Sequence, residues 1–329
     1  LTSATAYPPV TVIMPIRNEA AYIQATLGAV LSQSYPADRI EIIVVDGLSD
    51  DGTLALIRDL PASQRVTILS NPARRQAAAL NLTIPQAAGE IIVRVDGHTL
   101  IAPDYVECCV KALNETGAQN VGGMMNPVGI TPIGKAIAAA GKSAFAVPTA
   151  FHVSEKAQFT DTVYLGAWRK TIFDQVGYFN ETALANEDYE HNYRIRRAGG
   201  KIYLTPHIQS IYYGRQSLRA LWSQYFRYGI GKVEILRLHP QSLKLRHLVA
   251  PVFVAGLVAG GVAALLHPLL LLGWVSMIVI YLLTNFFFTL RLARRVELKV
   301  LHWVPIVFLV IHLSWGAGFW VGVLSGRAR

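Results

Sequence analysis

Short apolar runs alternate with amphipathic stretches through the first third of the chain. Residues 10–14 form an apolar run that stops at Pro15 and predict a first strand. Ile23, Leu27, Val30 and Leu31 recur at helical spacing and predict a helix over 20–33, which Pro36 ends. Residues 40–45 predict a second strand ending at Asp46-Gly47, and Ser49-Asp50-Asp51-Gly52-Thr53 supplies turn and cap chemistry before a helix over 54–60. A third strand over 66–69, a helix over 74–82 and a fourth strand over 91–95 follow. This alternation over short connections is the mark of a parallel sheet wrapped by helices, whose ligands collect beyond the carboxyl ends of the strands. No Gly-x-Gly-x-x-Gly follows the first strand, which disfavours a dinucleotide-binding domain.

The middle of the chain is less regular. Gly122-Gly123-Met124-Met125 predicts the end of a strand, and 133–146 is rich in small residues without a clear element. Residues 163–169 read as a loop before a helix start at 171–176. Asn186-Glu187-Asp188 precedes a helix through Arg197, closed by Gly199-Gly200, with a short strand over 201–204. Over 218–236, Leu221, Trp222, Tyr225, Phe226 and Tyr228 interleave with Arg219, Arg227 and Lys232. That spacing fits an amphipathic helix at a membrane surface, and an ordinary packed helix would also show it.

Three apolar spans come last, at 248–266, 269–290 and 303–324, each near the ~20 residues that cross a bilayer. Only His267-Pro268 separates the first two, so a tight hairpin is expected. The basic stretches 244–247 and 291–299 should then lie in the cytoplasm. Full crossing of the third span would leave Arg327 and Arg329 outside, against the same rule; a re-entrant span or a longer chain is the alternative.

Composition supports this division. Hydrophobic residues make up 52% of the chain, and beyond Leu248 the single acidic residue is Glu297. The expected organisation is a cytoplasmic domain over 1–214, interfacial helices over 215–247 and a transmembrane region over 248–329 of a multi-pass protein of the cell (inner or plasma) membrane. The net charge of +9 is concentrated beside apolar spans, which fits membrane lipids with anionic headgroups and argues against nucleic acid as a partner. Cys108 and Cys109 are adjacent and cannot form an ordinary disulfide with each other, in keeping with a reducing cytoplasm. Residues 1–9 lack the apolar core of a signal peptide, and a chain opening on Leu1 is expected to be trimmed or processed.

Candidate chemistry lies at the predicted strand ends and helix starts. Asp96-Gly97-His98 places two potential metal ligands two residues apart where glycine lets the backbone turn, although a capped polar turn would look the same. A carboxylate such as Asp46 can accept from a base or ribose hydroxyl, while Asp96 with His98 can hold a hard cation bridging two phosphates. Asp188, at a helix start, can be held ionised by the helix dipole and act as a general base, or simply cap the helix. Gln224 and Arg227 share a helix face, where the guanidinium can clamp a phosphate or face lipid.

Taken together the motifs resemble those of family-2 glycosyltransferases. They are Val12-Ile-Met-Pro-Ile-Arg-Asn-Glu19, Val44-Val-Asp-Gly-Leu-Ser-Asp-Asp-Gly-Thr53, Ala88-Gly-Glu-Ile-Ile-Val-Arg-Val-Asp96, Asn186-Glu-Asp188 with Arg194-Ile-Arg-Arg-Ala-Gly199, and Gln224-x-x-Arg227-Tyr228. The last departs from the family's Gln-x-x-Arg-Trp by a tyrosine. Arg215-Gln-Ser-Leu218, Arg227-Tyr-Gly229 and His312-Leu-Ser-Trp-Gly-Ala-Gly-Phe319 are similar to the membrane-bound glucosyltransferases of succinoglycan-type exopolysaccharide assembly.

The resemblance implies an α/β GT-A fold, Rossmann-like and nucleotide-sugar-binding, followed by amphipathic and transmembrane helices. It implies inverting transfer from a nucleotide sugar, often a UDP-sugar, to a lipid-linked or other glycan acceptor. By motif position, Pro15, Arg17, Glu19 and Asp46 would line the base and ribose, with Arg75 or Gln76 nearby. Asp96 and His98 would take a divalent cation, Mn²⁺ or Mg²⁺, and the diphosphate. Asp188 would be the base, Glu187 its support or an acceptor residue, and Gln224 and Arg227 would serve the diphosphate. Trp168 and Arg169 would fall in the acceptor region. The usual Asp-x-Asp is Asp96-Gly-His98 here, one negative charge weaker. The alternatives are a polyprenyl-phosphate sugar synthase, a processive polysaccharide synthase and an inactive membrane scaffold.

Overall fold

The computed structural model describes residues 7–146, 149–183 and 185–326, so the terminal arginines Arg327 and Arg329 lie outside the described residues. The chain divides into two compact units, one of residues 1–126, 154–182 and 187–213, the other of 127–153, 183–186 and 214–329. Two segments expected in the catalytic domain, 127–153 and 183–186, thus fold with the C-terminal unit.

The first unit begins as the pattern predicts: β1 (Val10–Ile16), α1 (Ile23–Leu31), β2 (Ile40–Asp46), α2 (Thr53–Arg58), β3 (Val66–Ser70), α3 (Gln76–Thr83) and β4 (Ile91–Arg94). β1 pairs in parallel with β2 and β4, and β2 with β3. Every β1 residue is buried, as the continuous apolar run of a covered parallel strand requires. Contrary to expectation, β1 continues through Pro15. Ile13 O accepts from Val95 N on one side and Ile16 O accepts from Gly47 N on the other. By alternation Pro15 faces the side where β4 pairing has ended at Arg94, so its missing N–H leaves no rung unmade.

Next come β5 (Thr99–Ile101), α4 (Tyr105–Thr116) and β6 (Asn120–Val128). The helices α5 (Pro132–Gly141) and α6 (Ala150–Val153) belong to the second unit. The first unit resumes with β7 (Gln158–Thr160), β8 (Tyr164–Arg169), α7 (Ile172–Val176), α8 (Glu187–Arg197) and β9 (Ile202–Tyr213). Among the described residues the sheet runs β3-β2-β1-β4-β8-β6-β9-β5, with β7 beside β9.

Three sequence expectations change here. Residues 164–169 are a strand, not a loop: β8 lies antiparallel between β4 and β6. Its left-handed Leu165 (φ 60°) and Gly166 (φ 111°) interrupt the alternation that would have revealed it. The Gly122-Gly123 pair sits inside β6 rather than ending it. A Cβ on Gly123 would stand 1.7 Å from Ile208 O, so glycine is needed where β9 passes. The expected short strand after 201 is the twelve-residue β9.

The second unit adds α9 (Leu218–Leu238), α10 (Val249–Ala263), α11 (Pro268–Leu292), α12 (Leu298–Leu301) and α13 (Val304–Leu324). Its core joins Ala136 and Ala140 of α5 to Leu221, Val304, Val307, Phe308 and Ile311. α9 lies close along α13, where a Cβ on Gly318 would stand 2.1 Å from Phe226 O. His312 Nε2 donates to Phe145 O and Nδ1 accepts from the Tyr281 hydroxyl, so this polar group in an apolar helix has partners on both sides.

Two helical stretches, Pro268–Leu292 and Leu298–Leu324, are long and apolar enough to cross a membrane. The expected first span falls short. α10 has 15 residues, about 22 Å of rise against a hydrocarbon core of about 30 Å. Its apolar composition continues through Leu266, but the helix turns at 264–266 before the Pro268 start of α11.

Candidate functional site

The loops after the parallel strands surround a cavity of about 170 Å³. Pro15, Arg17 and Glu19 come from the end of β1, Arg74, Arg75 and Gln76 from the β3–α3 turn, and Asp96 and His98 from the end of β4. Three of these turns hold a non-glycine residue at positive φ: Asn18 at 57°, Leu48 at 59° and Arg74 at 55°. A fourth, Asn186 at 64°, directly precedes α8. Left-handed backbone at such residues costs about 1–3 kcal/mol each and clusters where local geometry serves function.

Asp96 is the most heavily bonded group here. Its Oδ1 accepts from Arg94 Nε and from Gln76 Nε2, both at 2.8 Å, and its Oδ2 accepts from Arg94 Nη2 at 3.2 Å. Arg94 Nη1 also donates to Glu187 Oε1 at 3.3 Å. Arg94 thus ties the end of β4 to the start of α8. The residue reads in the sequence only as an interruption of an apolar strand. Its signal was nonetheless present, since arginine is seldom buried without a partner and Asp96 lies two residues on, on the same strand face.

His98 Nδ1 lies 2.7 Å from Glu19 Oε1, and the ring makes an edge contact with Tyr212 at 5.2 Å. Glu19, expected toward a base and ribose, therefore also reaches the β4 corner. Asp46 is buried and turned into its own loop, where Oδ1 accepts from the Ser49 hydroxyl at 2.5 Å. Its neighbours Val45 and Gly47 line the cavity instead. Arg75 is steadied by donating from Nη1 to Glu181 O at 2.7 Å.

Asp188 begins α8 beside Glu187, with Oδ1 accepting from Tyr189 N at 2.7 Å. The helix start was expected to hold it ionised. Burial and the neighbouring Glu187 charge act the other way and lift its carboxyl to about 6, with Arg94 pulling in opposition.

Trp168 and Arg169, expected in an acceptor loop, lie on β8. The Trp168 ring is core, 1% exposed among Phe173, Phe179 and His191, and cannot meet an acceptor. Arg169 donates from Nη2 to Asn114 Oδ1. Gln224 and Arg227 lie on α9 in the other unit, where Gln224 Nε2 donates to the Tyr228 hydroxyl.

Among the described residues no group of three or more His, Cys, Asp or Glu side chains is arranged around a metal position. Asp96 and His98 are two donors of types that suit Mn²⁺ or Mg²⁺, and both line the cavity. With Nδ1 turned to Glu19, the other ring nitrogen of His98 stays available; Asp96 Oδ1 already accepts two hydrogen bonds, and Oδ2, which accepts one, keeps a second lone pair. Two protein ligands fit a cation whose remaining ligands are phosphate oxygens of a bound molecule.

Residues 11–132 match the family model described as Glycosyl transferase family 2, and 91–321, well over half the chain, match Glycosyl transferase family group 2. The chain is 29% identical to the succinoglycan biosynthesis protein ExoA of Rhizobium meliloti, over 97% of this chain and 96% of that protein. It is 24% identical to the dolichyl N-acetyl-alpha-D-glucosaminyl phosphate 3-beta-D-2,3-diacetamido-2,3-dideoxy-beta-D-glucuronosyltransferase of Methanococcus voltae, over 97% of this chain and 98% of that protein. Among solved structures, the mannosyltransferase PcManGT of Pyrobaculum calidifontis, in complex with GDP-Man and Mn²⁺, superposes with a TM-score of 0.62 at 19% identity, covering 98% of this chain and 88% of that one. The shared architecture is the GT-A fold.

Proposed function

This chain belongs to glycosyl transferase family 2, and on that premise we propose that it moves a sugar, with inversion, from a nucleoside-diphosphate sugar to a lipid-linked acceptor at a membrane. A UDP-sugar is the proposed donor and assembly of a polysaccharide or other glycan the proposed role, in keeping with the names of the two full-length relatives. Pro268–Leu292 and Leu298–Leu324 would anchor it as a multi-pass protein, with the catalytic unit on the cytoplasmic side.

The observation that carries the reading is the cavity itself. Arg17, Arg74 and Arg75 supply cationic groups to its lining, and Asp96 with His98 supplies metal-type donors. That combination suits a diphosphate, and its position beyond the strand ends is where an α/β sheet binds nucleotides.

Asp188 is the proposed base. A carboxyl lifted to about 6 takes a proton readily near neutral pH, which a strongly acidic carboxylate does poorly. As the acceptor hydroxyl attacks the anomeric carbon from the face opposite the diphosphate, a new C–O bond forms and the bond to the diphosphate oxygen breaks. The electron pair leaves with the diphosphate and the hydroxyl proton passes to Asp188. Arg94 holds Glu187 and Asp96 in place while this happens. A divalent cation held by Asp96 and His98 would offset charge on the leaving diphosphate. The assignment of Gln224 and Arg227 to the diphosphate rests on their motif.

Membranes containing the protein, incubated with labelled UDP-, GDP- and other nucleotide sugars with and without Mn²⁺ or Mg²⁺, test the proposal. Label is expected in the organic extract as a lipid-linked oligosaccharide. Label confined to a lipid monophosphate would move the reading to polyprenyl-phosphate sugar synthesis, and label in high polymer would move it to a processive synthase. Equal turnover on a soluble oligosaccharide would remove the lipid-linked acceptor.

A further inference from the structure

We propose that Glu19 is a positioning residue for the cation end of the site. It fixes the His98 ring and restores, one ring away, the negative charge that histidine lacks relative to a second aspartate. This rests on the donor-site reading above.

The geometry supports it from several directions. Glu19 Oε1 lies 2.7 Å from His98 Nδ1. A carboxylate oxygen accepts, so Nδ1 donates to Glu19 and Nε2 is the ring nitrogen left to meet a cation. A carboxylate behind a ligating imidazole fixes the tautomer and makes the ring a more basic ligand. His98 then acts with Glu19 as a neutral ring backed by a full negative charge, and the pair approaches the charge of the aspartate it replaces.

Glu19 is itself firmly placed. Its N–H donates to Thr53 Oγ1 at 2.9 Å, and its carbonyl accepts from Tyr22 N and Ile23 N at 2.9 and 2.8 Å as α1 begins. The corner it reaches is cut to fit. A Cβ on Gly97 would stand 2.7 Å from Glu19 Cγ and 3.0 Å from Ile16 Cγ2, so the glycine between the two candidate ligands makes room for the Glu19 side chain. Gly97 O accepts from Thr26 Oγ1 at 2.8 Å, which ties the corner to α1, the helix that follows Glu19. Tyr212 packs against the ring. A glutamate that merely capped a turn would need neither the cleared path over Gly97 nor the ring nitrogen.

The test reads cation binding and not turnover. The full chain in detergent is titrated with Mn²⁺ in the presence of UDP, and in parallel GDP, with free Mn²⁺ followed by its paramagnetic resonance. Glu19→Ala is expected to weaken Mn²⁺ binding about 10- to 100-fold. Glu19→Gln keeps an acceptor of the same shape for Nδ1 and loses the charge, so it should lie between Glu19→Ala and the unaltered protein. Gly97→Ala, which blocks the path, should resemble Glu19→Ala. Adding His98→Asp to Glu19→Ala puts a charge back at the ligand and should recover binding to within a few-fold of the unaltered chain, a rescue that a purely structural glutamate would not allow. Equal Mn²⁺ affinity in Glu19→Ala and the unaltered protein, or a double variant as weak as Glu19→Ala, overturns the proposal while leaving the donor site standing. Absence of nucleotide-dependent Mn²⁺ binding in the unaltered protein overturns the cation site itself and this role with it.

Discussion

Arg94→Met is the most exacting perturbation of the catalytic unit. The guanidinium bridges Asp96 and Glu187, and the three side chains are 8%, 10% and 13% exposed. Methionine roughly preserves the apolar stem and leaves two carboxylates without their shared cation. Removing one partner of a buried ion pair costs about 3–5 kcal/mol, because the remaining charge is uncompensated. Against the 5–15 kcal/mol typical of a domain, the variant should fold yet unfold at clearly lower urea. Arg94→Lys should lose less, about 1–3 kcal/mol, since an ammonium can satisfy one carboxylate but cannot span both as the planar fork does. Hydrogen exchange of β1 and β4 peptides, followed against urea, reads this unit without interference from the apolar helices.

The same change has a second consequence in the pH profile. Arg94, ahead of the Tyr189 N–H, pulls the Asp188 carboxyl down against burial and Glu187. A base works when deprotonated, so turnover in the unaltered enzyme should fall as pH drops through about 6. Without the Arg94 charge the Asp188 carboxyl rises further, and the acid limb of kcat moves to higher pH. A stability loss under about 1 kcal/mol, within the range of ordinary surface changes, would refute the buried-bridge reasoning. An acid limb that stayed in place or moved to lower pH would refute the link from Arg94 to Asp188.

Asp188→Asn should lower kcat by about 10²- to 10⁴-fold with little change in KM for the donor, measured by initial rates on extracted lipid product. His191 is fully buried against Phe173 and Phe179, and burial, followed by the Arg194 charge, depresses it to about 3. The unfolded chain therefore binds a proton that the folded one refuses, so this stabilising contribution is complete above the unfolded value of about 6.5 and declines as pH falls toward 3. Between pH 7 and 4.5 the unaltered chain should lose about 2–3 kcal/mol more than His191→Phe, read as urea midpoints by the same exchange assay.

The parallel half of the sheet was legible because each strand is a continuous apolar run closed by Pro, Asp or Asn, and each lies next in space to a near neighbour in sequence. The antiparallel half was not. β8 carries two consecutive left-handed residues, Leu165 and Gly166, which erase its alternation, and Gly123 of β6 answers to Ile208, more than eighty residues away. In the site, residue type at strand ends and helix starts pointed to Asp96, His98 and Asp188, and the family resemblance pointed to Glu19. What bonds to each of them did not follow from the sequence, because the Arg94–Glu187 and Gln76–Asp96 contacts join distant segments. Trp168 shows the converse error: motif position put it in the acceptor region, yet on β8 its ring packs in the core among Phe173, Phe179 and His191. The helix within the first apolar span is shorter than expected for a related reason, since composition reports apolarity through Leu266 but not where α10 stops.

The charge arrangement at the end of β4 links these observations. Asp96 already shares its negative charge with Arg94, which also serves Glu187. An Asp-x-His corner without further help would therefore offer a cation less than one full negative charge from the protein. Glu19 behind His98 supplies the missing charge without occupying a ligand position. Arg94 can then remain committed to Asp96 and Glu187, which keeps the donor end in register with the base end. In a corner with a second aspartate and no Glu19 contact, an arginine at position 94 would have two competing carboxylates on its own strand end and a weaker hold on α8. The histidine, the glutamate and the buried arginine are best understood as one set, and Arg94→Met combined with Glu19→Ala should depart from additivity because both alter the charge that Asp96 presents.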